Sequence, residues 1–206
     1  MSKLETNTID TISGTNTLQV GDGNVATINL GKSGDTINIP SGATITNSGT
    51  ANNFGGANTP AFCAYRNYNN GGYQSIPNNS FTKCAFNAEY WDTASEFDPS
   101  TNYRWTAGTA GKYVIGTNII IDNLADGAAL LVSIYKNGSA VGTNAQGLNG
   151  IVNSSNGNPD QCQVISTIDV ASGDYFEVYV KHTHGSSRDW RTEYGNVFYA
   201  HKLIGV

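Results

Sequence analysis

From about residue 60 onward, short runs of the chain alternate apolar and polar positions. They read FCAYR at 62–66, SFTKCAFNA at 80–88, KYVIGTNIII at 112–121, ALLVSIYK at 129–136, SAVGT at 139–143, CQVISTIDV at 162–170, YFEVYVKH at 175–182 and VFYAHKLI at 197–204. A period of two puts successive side chains on opposite faces of a strand, so each run predicts one. Asn137-Gly138, between two of the runs, is the strongest short-range hairpin signal. Many short strands punctuated by Gly, Asn and Pro predict an all-β sandwich, barrel or jelly roll.

Residues 1–58 follow a different rule. TLQV at 17–20, TINL at 27–30, TINI at 36–39 and TITN at 44–47 recur between Gly-Asp-Gly, Gly-Lys-Ser-Gly-Asp, Pro-Ser-Gly and Asn-Ser-Gly. Each predicts a short strand with one thin apolar stripe, such as Leu18/Val20, Ile28/Leu30 or Ile37/Ile39. Four such stripes cannot close a core in one chain, because a repeat needs neighbours to cover its apolar face. Three chains wrapped about a common axis would cover them, which predicts a trimeric β stem. The Asn- and Gly-rich stretch 51–59 reads as a joint. The expected division is therefore a stem at 1–58 and a β domain at 59–206.

Composition narrows the function. Charged residues are only 13% of the chain, and 24 glycines help fill the gap, as suits turn-rich β structure. The net charge of −5 and the scattered basic residues disfavour a nucleic-acid groove. No apolar run approaches the roughly 18 residues of a membrane span. The opening MSKLETNTIDTISG lacks the apolar core of a signal peptide. We therefore expect synthesis in a cytoplasm and no membrane insertion. Cys63, Cys84 and Cys162 sit at no metal-binding spacing and read as small buried apolar residues, a Cys63–Cys84 bridge being the alternative.

No constellation argues for catalysis. Glu89, Asp92, Glu96 and Asp98 form the densest acidic cluster. A glycosidase would need two carboxylates facing each other across a cleft, and a calcium site several oxygens converging on one point. The spacing supports neither. His182 and His184 would share one face of a strand, and a trimer would present three such pairs to an axial metal; the plainer reading is a polar pair at a strand end. His201 stands alone in the last strand. There is no nucleophile elbow and no phosphate-cradling loop before a helix. We expect no enzyme and no cofactor.

Residues 81–121 carry a family resemblance. Phe81 is followed by Asn87, a turn-rich DPSTN lies at 98–102, and Gly111-Lys-Tyr113 opens the next strand. With PAFCAYRN upstream and VFYAHKLIG at the end, this layout resembles C1q-like domains, the jelly rolls related to tumour necrosis factor, over about residues 60–206. The resemblance implies a homotrimeric all-β jelly-roll sandwich that binds rather than catalyses. The opening KLETNTIDTISGTNTL at 3–18 is similar to the start of many bacteriophage fibre and virion proteins. Stem and knob together imply a phage virion appendage, a tail or head fibre. It would contact other virion proteins through its N-terminal region and a host-surface glycan or protein through its knob. The rival expectation is a capsid decoration protein without a receptor role.

In an antiparallel jelly roll, connections alternate between the two ends. If the first strand enters from the stem side, the loops near 67–79, 122–128, 144–161 and 183–195 all fall at the far end. Aromatics mixed with Asn, Arg and Asp on loops suit recognition, since rings stack while polar groups hydrogen-bond. The candidate receptor-binding residues are therefore Tyr68, Asn70, Tyr73, Asn149, Asn156, Arg188, Asp189, Trp190, Arg191 and Tyr194.

Overall fold

The computed structural model describes residues 27–48, 59–140, 149–153, 160–190 and 195–203. The chain divides into two units, Met1–Ala51 and Asn52–Val206. The second unit is all-β among its described residues. Its strands are β1 (Ala61–Tyr65), β2 (Gln74–Ile76), β3 (Thr82–Lys83), β4 (Ala88–Asp92), β5 (Phe97–Asp98), β6 (Arg104–Thr106), β7 (Gly111–Ile121), β8 (Ala129–Lys136), β9 (Ser139–Ala140), β10 (Asn149–Asn153), β11 (Asp160–Val170), β12 (Tyr175–His182), β13 (Arg188–Trp190) and β14 (Val197–Lys202).

Two seven-stranded sheets face each other. The first runs β2-β13-β7-β14-β1-β4, with β11 also on β7; the second runs β10-β8-β12-β6-β5, with β3 on β12 and β9 on β8. Every paired register is antiparallel. Alternation decides what is buried. Phe62 and Ala64, Tyr113, Ile115 and Ile119, and Phe198 and Ala200 point inward, and meet Val132, Ile134, Phe176 and Val178 from the second sheet. The centre is aromatic: Phe62 stacks on Phe97 at 5.2 Å and on Trp105 at 5.5 Å, and meets Phe198 edge-on at 5.1 Å. Each such side chain, fully buried, contributes roughly 1.5–3 kcal/mol.

The long strands lie where alternation placed them; 80–88 does not. Thr82–Lys83 pairs with β12, Cys84 N–H still reaches Val178 O (2.8 Å), and Ala88 already belongs to β4 on β1; between them the main chain at Ala85 is held by side chains instead. Ala85 N–H donates to Gln74 Oε1 (2.8 Å), and Ala85 O accepts from Arg66 Nη1 (2.9 Å). Of 139–143, only Ser139–Ala140 is a strand among the described residues. Asn137-Gly138 forms the expected turn, both residues at positive φ (52° and 77°), a conformation that suits Asn and Gly.

Register fixes the two ends of this unit. Ala61 pairs with His201 and Tyr65 with Val197; Asn118 pairs with Val197, and Asp160 with Ile121. In the second sheet, His182 pairs with Leu130, and Asn153 with Ala129. The chain therefore enters at Ala61 and returns at Lys202 at one end. The connections after Tyr65, Ile121, Asn153 and His182 share the other, called the loop end below.

The outward face of the first sheet carries a cross-strand row. Trp91, Cys63, Tyr199, Gly116 and Ile165 are successive register partners. Beside it, Tyr65 stacks on Tyr90 at 4.2 Å, where a bulge at Cys63/Ala64 turns both rings to one side. Trp91 (48% exposed), Tyr90 and Ile165 (58%) are open to solvent.

In the first unit, the described residues 27–48 contain turns but no strand, a correction to the expected strands at 27–30, 36–39 and 44–47. Ile28, Leu30, Ile37, Ile39 and Ile45 are all exposed. A single chain offers these stripes neither a backbone partner nor an apolar cover, so nothing locks a strand in place. The first repeat, 17–20, lies outside the described residues.

Candidate binding site at the loop end

Arg66 and Asn87 build the loop after β1. The Arg66 guanidinium donates through Nη2 to Gly71 O (3.2 Å) and Gly72 O (2.8 Å), and through Nη1 to Ala85 O. Asn87 Oδ1 accepts from Asn67 N–H (2.7 Å), and Asn87 Nδ2 donates to Asn67 O and Asn70 O. Gly71 and Gly72 take positive φ (108° and 65°), which lets the chain turn back tightly. The result presents Tyr68 and Tyr73 together, ring centroids 4.9 Å apart, 48% and 45% exposed.

Two cavities flank this pair. The larger, of about 620 Å3, is lined among others by Arg66, Asn70, Tyr73, Gln74, Asn87 and Tyr103. Burial lowers the Arg66 pKa, with Tyr103 and Cys84 opposing the shift. The smaller, of about 230 Å3, is lined by Tyr73, Asp122, Asn123, Arg188 and Asp189. Tyr73 belongs to both.

The candidates predicted from sequence divide accordingly. Tyr68, Asn70, Tyr73, Arg188 and Asp189 are brought together around these cavities. Trp190 is not on a loop surface. It is fully buried, packs edge-on against Phe86 at 4.9 Å, and donates from Nε1 to Asn196 Oδ1 (2.8 Å). The connection 183–195 contains β13, paired with β2, and this draws Trp190 into the core. Asn149 belongs to β10, paired with Ser133 within the sheet, rather than to an end loop; β10 interrupts the expected connection 144–161. Asn156, Arg191 and Tyr194 lie outside the described residues. Arg66, Asn87 and Tyr103 were not singled out in advance. Their signal is spatial: the atoms that Arg66 and Asn87 hold lie up to 20 positions away in the chain.

His182 and His184 do not form a metal pair. The buried His182 ring accepts from His184 N–H at Nδ1 (3.3 Å), so its proton sits on Nε2, 2.9 Å from Ile76 O. His184 accepts from Ala125 N–H at Nδ1 (2.7 Å), and Arg188 Nη2 lies against its Nε2. Burial first, then Arg188 and His182, lower the His184 pKa. Both ring nitrogens of His182 and Nδ1 of His184 are engaged. Among the described residues no group of His, Cys, Asp or Glu could hold a metal ion.

The acidic cluster is spent on turns. Asp92 accepts from the N–H groups of Ala94, Glu96 and Phe97. Asp98 accepts from those of Thr101 and Ser100 and from both nitrogens of Asn102, which hold its carboxyl well below the usual range. Glu96 accepts from Trp105 Nε1 (2.9 Å) and Gly108 N–H (2.9 Å). Burial, then Asp92, raise the Glu89 pKa. All three cysteines are free, so no Cys63–Cys84 bridge forms.

No family model and no curated protein matches the chain. Solved structures do. Murine APRIL aligns over 69% of this chain and 98% of its own, at 10% identity and a TM-score of 0.50. The Eiger tumour necrosis factor of S. frugiperda aligns over 71% and 93%, at 14% identity and a TM-score of 0.49. The globular domain of zebrafish complement 1qA aligns over 70% and 97%, at 15% identity and a TM-score of 0.47. The second unit has the C1q/TNF-like jelly-roll fold.

Proposed function

We propose that this chain is a self-associating binding module: a homotrimeric knob on a β stem, borne on a bacteriophage virion. Residues 1–58 space the knob and dock it to other virion proteins, and the loop end binds a host-surface glycan or protein. The observation that carries the binding role is the exposed Tyr68–Tyr73 pair, set between two cavities at the end opposite the chain's entry. Exposed aromatic rings beside amide and charged groups suit a sugar face or a protein loop. Self-association is supported by two exposed apolar features: the Trp91–Ile165 row, and the Ile and Leu stripes of residues 28–45. The virion role is supported by the likeness of residues 3–18 to phage fibre openings, and assembly from a host cytoplasm follows from it.

The test is a panel of immobilised neutral and acidic glycans and host-envelope preparations, probed with the whole protein and with Tyr68→Ala/Tyr73→Ala. Binding by the wild type that the double variant loses supports the reading. Equal binding by both overturns the site. No binding by the wild type favours a decoration role.

A further inference from the structure

The larger cavity has a buried cation in its wall. Arg66 is 7% exposed, and its described partners are all main-chain carbonyls: Ala85 O, Gly71 O and Gly72 O. A guanidinium has five N–H donors, and three are spent here. Nε–H finds no acceptor among the described residues. A desolvated cation without a counter-charge is costly, and an arriving anion offsets that cost.

The rest of the wall decides which anion. Gln74 is tied to the loop, donating to Lys83 O (2.6 Å) and accepting from Ala85 N–H (2.8 Å). Asn87 is likewise used by the loop. The hydroxyls of Tyr73 and Tyr103 make no hydrogen bond among the described residues, and both rings line the cavity. Tyr103 is held there at positive φ (50°), unusual for a non-glycine residue. Among the described residues Arg66 is the only cation in the lining, which matches a single negative charge better than a phosphate dianion. A volume of about 620 Å3 admits a sugar ring.

We propose that this cavity binds the carboxylate of an acidic sugar, with the Arg66 guanidinium in the cavity wall as its counter-charge and Tyr73 and Tyr103 on the sugar hydroxyls. The assignment to a sugar rests on the proposed glycan role of the loop end and deepens it.

The test titrates the whole protein with glucuronate, glucose, acetate and sulfate, followed by calorimetry or NMR shifts. Glucuronate is expected to bind at least about tenfold more tightly than glucose or acetate, as one charge-assisted contact plus neutral ones would give. Arg66→Lys, which keeps the charge but loses the planar guanidinium, should weaken it about tenfold. Arg66 also staples the loop, so Tyr103→Phe serves as the gentler variant, with a loss of severalfold. Equal affinity for glucuronate and glucose, or full affinity in Tyr103→Phe and Arg66→Lys, overturns the proposal. Sulfate matching glucuronate overturns the sugar assignment. The glycan panel separates the two readings. Loop-dependent binding of a neutral glycan with no response to glucuronate sinks this inference alone. Glucuronate binding with no glycan captured sinks the broader role alone.

Discussion

The ring of Tyr199 lies across Gly116 on the outward face of the first sheet. The two are register partners, and a Cβ built on Gly116 would sit 2.5 Å from Tyr199 Oη and 2.6 Å from Cζ. A glycine inside a strand leaves a gap, and here a cross-strand aromatic fills it. The ring thereby joins Trp91 and Cys63 to Ile165 in one continuous apolar row. Gly116→Ala should push the ring off the sheet. Since only the tip of a side chain must move, the fold should lose about 1 kcal/mol, read by urea unfolding. Self-association should suffer more, read by sedimentation. A variant that assembles normally would remove Tyr199 from the contact surface.

Asn196 holds two elements at once. Its Oδ1 accepts from Trp190 Nε1 (2.8 Å) and from Ile120 N–H (2.6 Å), and Asn196 is 3% exposed. Asn196→Ala strands two buried donors, each costing about 1–3 kcal/mol. The expected loss in urea unfolding is about 2–4 kcal/mol, against almost none for Asp189→Ala on the surface. Equal effects would contradict the placement of Trp190 in the core.

Stability should fall at both pH extremes for identifiable reasons. Tyr113 donates to Thr109 O (2.8 Å), and burial, with Glu96 adding, pushes its phenol up to about 12. An unfolded tyrosine titrates near about 10, so between these values the unfolded chain sheds a proton that the folded chain keeps. Stability present below pH 10 is lost as pH rises through that window, and Tyr113→Phe should flatten the loss. Asp98 acts in reverse. Its depressed pKa stabilises the fold above the unfolded value of about 4, and that contribution disappears as pH falls below it. Asp98→Asn should flatten the acid limb. Unchanged limbs in denaturation midpoints measured against pH would refute both assignments.

The long strands and the Asn137-Gly138 turn were readable because alternation and turn chemistry are local. β2, β5, β6 and β13 were not, since two or three residues cannot show a period. The end-to-end parity of the loops followed from strand order alone, and the registers reproduce it for the connections after Tyr65, Ile121 and His182. What stayed hidden depends on contacts between distant positions. Trp190 looked like a loop aromatic until β13 paired with β2, and the carbonyls that surround Arg66 come from positions that no local pattern links to it. The stem stripes at 27–48 show the opposite case, a legible pattern that one chain by itself does not turn into strands.

The central claim is that the outward face of the first sheet joins copies of the chain and leaves the loop end free to bind. Native mass measurement of the whole protein and of Ile165→Arg tests it most directly. Ile165 is 58% exposed, so the substitution should spare the folded monomer and disrupt only a contact between copies. The account predicts three times 21.8 kDa for the wild type and 21.8 kDa for the variant. A monomeric wild type, or a variant that remains trimeric, would contradict it.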